Sequence, residues 1–133
     1  MVDRRIIQEW IEKADEDFNF ATSVVEDSSY YAQICFHYQQ AAEKYLKAFI
    51  VAHELEFKKV HDLIDLLNIC CTKEPLLSQI EPDCNFLSRF YIDTRYPVHW
   101  PIKYTKNNAI NAQRCAKKIG DTLINLLRKE EYI

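Results

Sequence analysis

Apolar residues recur at spacings of three and four along most of this chain, and that rhythm predicts a series of amphipathic helices. Ile7, Ile11, Ala14, Phe18, Ala21 and Val25 share one face of a first helix expected from about Arg4 to Glu26. Asp3 is placed to cap its free backbone donors, with Val2 and Ile7 as a hydrophobic staple around the cap. Asp27-Ser28-Ser29 breaks the pattern. A second helix is expected from about Tyr30 to Glu54, with Tyr31, Cys35, Tyr38, Ala42, Tyr45, Phe49 and Ala52 in one stripe. Ile34, Ala41 and Ala48 form a strip beside it, so this helix should contact neighbours on more than one side. Residues 55–60 read as a connection. A third helix follows from about His61 to Cys71, with Asp62 in its first turn and Leu63, Leu66, Leu67 and Cys70 inward.

Pro75 and Pro82 punctuate the next stretch. Proline suits a first helical turn, where no amide donor is needed, so a short turn at 75–80 and a fourth helix from about Pro82 to Thr94 are expected. Pro97 and Pro101 forbid a regular helix through residues 95–101, RYPVHWP. The fifth helix should run from about Thr105 to Glu130, with Ala109, Ala112, Ala116, Ile119, Leu123, Leu126 and Leu127 inward. Gly120 interrupts it at a cost of about 1 kcal/mol against alanine, and a close helix crossing would account for it.

One glycine and four prolines in 133 residues leave little material for the turns of a sheet. The expected architecture is all-α: a single domain over residues 1–133, an up-and-down bundle of about five helices, four of them forming the main core. With 48% apolar residues the chain can bury a core without staples. No apolar run reaches the eighteen residues a membrane helix needs. Five cysteines, an odd number, without a Cys-x-x-Cys pair or a signal-peptide-like start, point to a reducing, cytoplasmic setting.

Net charge is -3, but its distribution is uneven. Residues 1–27 hold eight acids against three bases, whereas residues 94–120 hold six bases and no acid. Lys106, Arg114 and Lys117 fall opposite the apolar face of the fifth helix, near Lys103. This stretch could hold a polyanion, or it could be an ordinary solvated face. Tyr96, Trp100 and Tyr104 lie beside it and could stack on bases or pack a hinge. On the second helix, Gln33, His37, Gln40 and Lys44 form a polar stripe, read either as a ligand- or dimer-facing surface or as a solvated face. Glu43 and Lys47 read as an i, i+4 ion pair of about 0.2–0.5 kcal/mol. His53, His61, Cys70 and Cys71 have no zinc spacing, and one glycine excludes a phosphate-cradling loop. No metal and no cofactor are expected.

CFHYQQAAEKYLKAF (residues 35–49), His61-Asp62-Leu63 and Arg95-Tyr96-Pro97 occur in order on successive elements. Phe36, Gln39-Gln40, Ala42-Glu43-Lys44 and Leu46-Lys47-Ala48 carry the match within the first of these. Together they resemble the HEPN domain family, named for nucleotide binding in higher eukaryotes and prokaryotes. The resemblance spans nearly the whole chain. It implies a helical bundle that commonly dimerises and is often paired with a minimal nucleotidyltransferase, in some cases as a toxin–antitoxin module. Many members are metal-independent ribonucleases whose motif is an arginine, four to six residues, then a histidine. Here Arg95 and His99 are separated by three residues, with Pro97 between them, and proline stands at position 101 where some active members carry tyrosine.

The expected function is therefore a homodimeric module that binds nucleotide or RNA and acts with a minimal nucleotidyltransferase. Arg95, Tyr96, Lys103, Lys106, Arg114 and Lys117 are the candidate contacts, and His37, Gln40 and Lys44 a second polar surface. Arg95 can also be read as a structural cation at the C-terminal end of the fourth helix. The alternatives are a metal-independent endoribonuclease toxin using Arg95 and His99, and a purely structural interaction domain.

Overall fold

In a computed structural model the described residues are 2–56, 59–95 (side chains through Tyr91) and 103–133. Five α-helices appear among them and no strand: α1 (Arg4–Val24), α2 (Tyr31–Ala52), α3 (Leu63–Cys71), α4 (Glu81–Arg95) and α5 (Lys106–Lys129). A short 3-10 turn, Pro75–Ile80, joins α3 to α4.

The helix ends follow from local chemistry. The Asp3 side chain accepts the Arg5 amide at the start of α1. Thr105 and Asn108 form a reciprocal capping box at the start of α5. Asp62 lies just outside α3 rather than in its first turn, because its carboxylate accepts the Ile64 amide as an N-cap. With no glycine available, Glu54 and Glu131 take positive φ (52° and 66°) after α2 and α5. There the amides of Leu55 and Tyr132 close back on the carbonyls of Ile50 and Leu127, bonds that terminate the helices in the manner of a Schellman motif.

Helix α2 packs against α1, α3, α4 and α5. Its buried residues include both expected strips, except that Tyr31 is only half-buried. Across the α1–α2 contact the Phe18 and Tyr38 rings meet edge-on at 5.4 Å, and the Tyr38 and Thr22 hydroxyls are 2.9 Å apart. Gly120 marks a close approach, though to a side chain rather than a backbone: a Cβ there would come within 2.8 Å of the Tyr45 ring. Cys35, Cys70, Cys84 and Cys115 are buried free thiols. Burial pushes Cys35 and Cys70 up to about 12, which leaves them unreactive packing groups. No helix of the described residues is long and apolar enough to cross a membrane.

Candidate functional site

The least expected feature of α2 is polar and buried. Gln39, Glu43 and Lys47 are 0%, 5% and 7% exposed. At 100° per residue, Leu46 and Ile50 fall among these three positions, so the buried arc of α2 continues past its two apolar strips and takes the polar residues in with it. The Glu43–Lys47 pair therefore lies inside the bundle, not on its surface as the i, i+4 spacing alone suggested.

Each buried group has a partner. Lys47 Nζ donates to Glu43 Oε2 at 3.3 Å, and His61 Nδ1 lies 3.1 Å from Glu43 Oε1. Gln39 Nε2 donates to the His61 carbonyl at 3.4 Å, and Gln40 Nε2 to Gln39 Oε1 at 2.8 Å. The His61 ring stacks on Tyr91 of α4, nearly parallel at 15° with centroids 5.1 Å apart. Ser88 Oγ of α4 donates to Asp62 at 2.9 Å. Helices α2, α3 and α4 thus converge on one polar cluster. An ion pair removed from water loses several kcal/mol of hydration per charge, so apolar residues here would be as stable or more so. Arg95 closes α4 one helical turn beyond Tyr91. The side chain of Arg95, together with Tyr96, His99 and Trp100, lies outside the described residues.

The polar stripe of α2 turns toward α1. Lys44 donates to Asp17, and His37 Nδ1 lies 3.1 Å from the other oxygen of the same carboxylate. Phe20 meets His37 edge-on at 4.8 Å. Gln33 is exposed and Gln40 half-buried. The stripe is thus largely a helix–helix contact, with Lys44 and the His37 ring sharing one acid.

The basic stretch of α5 is also partnered, mostly by acids distant in sequence. Lys106 reaches Glu26 at 2.8 Å and Lys117 reaches Asp121 at 3.0 Å. Arg114 and Lys118 approach Asp83 of α4 at 3.8 and 3.7 Å. Asp83 is buried while both cations are more than half exposed. Lys103 is exposed. Tyr104 packs its ring against Phe90 at 5.6 Å, on the core side. Arg89 lies over the Phe86 ring at 4.5 Å. Among the described residues no three His, Cys, Asp or Glu side chains are grouped as metal ligands.

A five-helix bundle with a central polar helix, the His61-Asp62-Leu63 corner and the arginine-closed fourth helix define a recognisable class of small α-helical module. The chain matches the HEPN domain over residues 7–127, and it belongs to that family. The crystal structure of an archaeal HEPN homologue superposes with a TM-score of 0.72 at 26% sequence identity, over 91% of this chain and 97% of that one. No curated protein sequence matches significantly. Among the residues that carried the resemblance, Gln39, Glu43, Lys47 and His61 meet in the polar cluster, the first three of them buried.

Proposed function

We propose that this chain is a homodimeric nucleotide- or RNA-binding module of the HEPN family that acts with a minimal nucleotidyltransferase, in a toxin–antitoxin pair or a related two-component system. HEPN domains commonly dimerise. The observation that carries the binding reading is the polar cluster of buried Gln39, Glu43 and Lys47 with the part-exposed His61, toward the end of α4 that Arg95 closes. Polar groups kept inside a core at an energetic cost are better explained by a site than by a scaffold. The exposed cations Lys103, Lys106, Arg114 and Lys117 supply a face along which a phosphate backbone can run, exchanging weak surface pairs for phosphate contacts.

The test is fluorescence anisotropy with labelled single-stranded RNA across a salt series. Binding whose logarithm falls linearly with log salt, and which weakens in Arg95→Ala and in Lys103→Ala/Lys106→Ala, is the expected result. Absent or salt-insensitive binding by well-folded protein would overturn the reading. The same RNA, incubated in chelator and resolved on a gel, tests the ribonuclease alternative. Cleavage abolished by both Arg95→Ala and His99→Ala would make this chain an enzyme.

A further inference from the structure

We infer that the groove between α1 and the start of α2 is a docking site for a basic amphipathic helix of a partner protein, whose apolar ridge seats beside Phe20 and Tyr30. This is a different surface from the polar cluster, and the inference does not rest on nucleotide or RNA binding.

Phe20 and Val24 stand one turn apart on α1, Ser28 and Tyr30 follow in the turn to α2, and Ile34 and His37 face them from α2. Together they line a groove of about 440 Å³. Ile34 is buried and Val24 half-buried, whereas Phe20 and Tyr30 are 53% and 71% exposed. Exposed apolar side chains scattered singly are ordinary; two large ones lining one groove mark a surface that something covers. The wall they belong to is fixed. Phe20 meets the His37 ring edge-on at 4.8 Å, and His37 is held 3.1 Å from Asp17 of α1.

Charge selects the occupant. No lysine or arginine occurs from residue 14 to residue 43, the stretch that builds both walls, whereas Glu16, Glu26 and Asp27 are exposed along it. Glu16 stands one helical turn before Phe20 on the same face. Asp27 lies at the other end, in the turn, with its amide on the Val24 carbonyl. Glu16 and Glu26 hold exposed pairs with Lys13 and Lys106, which a partner's cations can replace at little loss. An acidic rim repels a phosphate backbone and an anionic membrane alike. A second copy of this chain does not fit either. Symmetric pairing through the groove would bring two acidic rims together, and the basic outer face of α5 offers Ile110 alone as an exposed large apolar side chain. With no strand among the described residues, there is no sheet edge for an extended peptide to join. A helix laid in the groove remains, with apolar anchors at i, i+3 or i+4, and i+7, flanked by lysine or arginine.

The probe is a fluorescein-labelled helical peptide of about four turns, with leucine at the anchor positions and lysine elsewhere, beside a twin with glutamate in place of lysine. Anisotropy on the full chain should show the lysine peptide bound and the glutamate peptide about tenfold weaker or more. Phe20→Asp should weaken the lysine peptide about tenfold, as loss of an aromatic anchor does, although the added carboxylate by itself favours lysine. Leu76→Asp makes a like change at a 68%-exposed site between α3 and α4 and should stay within about twofold. Asp27→Lys should weaken the lysine peptide and strengthen its glutamate twin. Circular dichroism checks folding, and Tyr30→Asp replaces Phe20→Asp should that variant unfold. Sedimentation of the wild type and Phe20→Asp should agree. A wild-type dimer that Phe20→Asp dissociates would put a second copy in the groove and overturn the inference. Equal binding of the two peptides, no binding of either, or equal losses in Phe20→Asp and Leu76→Asp would overturn it as well.

Discussion

Gly120 offers the sharpest test of how α5 is seated on α2. A methyl group at this position would stand 2.8, 3.0 and 3.2 Å from Cε2, Cζ and Cδ2 of Tyr45. Carbon atoms pack at about 3.5–4.0 Å, so either the ring or the helix must move by roughly 0.7 Å to reach even the near end of that range. The ring has little freedom. Tyr45 is 4% exposed, and its hydroxyl donates to Asp15 of α1. Gly120→Ala therefore sets two terms against each other. Alanine gains about 0.8–1.0 kcal/mol of helix propensity. Overpacking a tight contact costs about 1–3 kcal/mol. With the ring pinned at both ends the steric term should win, for a net loss of about 1 kcal/mol, near 4 °C in Tm for a domain of this size. The assay is urea unfolding followed by circular dichroism, read as a lower midpoint at unchanged slope. The companion variant Tyr45→Leu removes the obstructing ring atoms. In that background Gly120→Ala should instead stabilise, by about the propensity gain, so the two substitutions show a coupling of about 2 kcal/mol. A raised midpoint for Gly120→Ala in the otherwise wild-type chain would refute the close approach.

Two further outcomes concern buried charge and buried thiols. Glu43→Gln or Lys47→Met alone removes one member of a buried charged pair and should cost about 3–5 kcal/mol, whereas Glu43→Leu combined with Lys47→Met should fall close to wild type. A loss under about 1 kcal/mol for both single variants would mean that the pair is reached by water. Burial holds the thiols of Cys35 and Cys70 up at about 12 and that of Cys115 at about 11, against an ordinary 9.0. Above roughly pH 9 the unfolded chain therefore sheds protons that the folded chain retains, so ν of the unfolded state is the smaller and stability falls as pH rises. Urea midpoints should be lower near pH 10 than near pH 7.5; a flat or rising trend would contradict the sealed thiols.

Much of this protein was legible in its sequence because amphipathic periodicity and capping are local. The five helices lie within a few residues of where the spacing of Ile, Leu, Ala and aromatic positions puts them, and Asp3, Thr105 and the prolines mark their ends. The all-α class follows from the same pattern and the lone glycine, and the motif order on α2, α3 and α4 was enough to suggest the HEPN family. Side-chain partners were not legible, because they depend on which helices meet. Asp17 lies twenty residues from His37 and twenty-seven from Lys44, and Asp83 is drawn to α5 by the α4–α5 packing. Sequence alone shows a basic stretch and a polar stripe; only the bundle reveals that distant acids answer both. Glu43 and Lys47 show the limit most clearly. Their spacing states that they can pair, and nothing local states that α3 and α4 will cover them and bring His61 to the same carboxylate. Burial is a property of neighbours, and it alone turns a common surface ion pair into the centre of the candidate site.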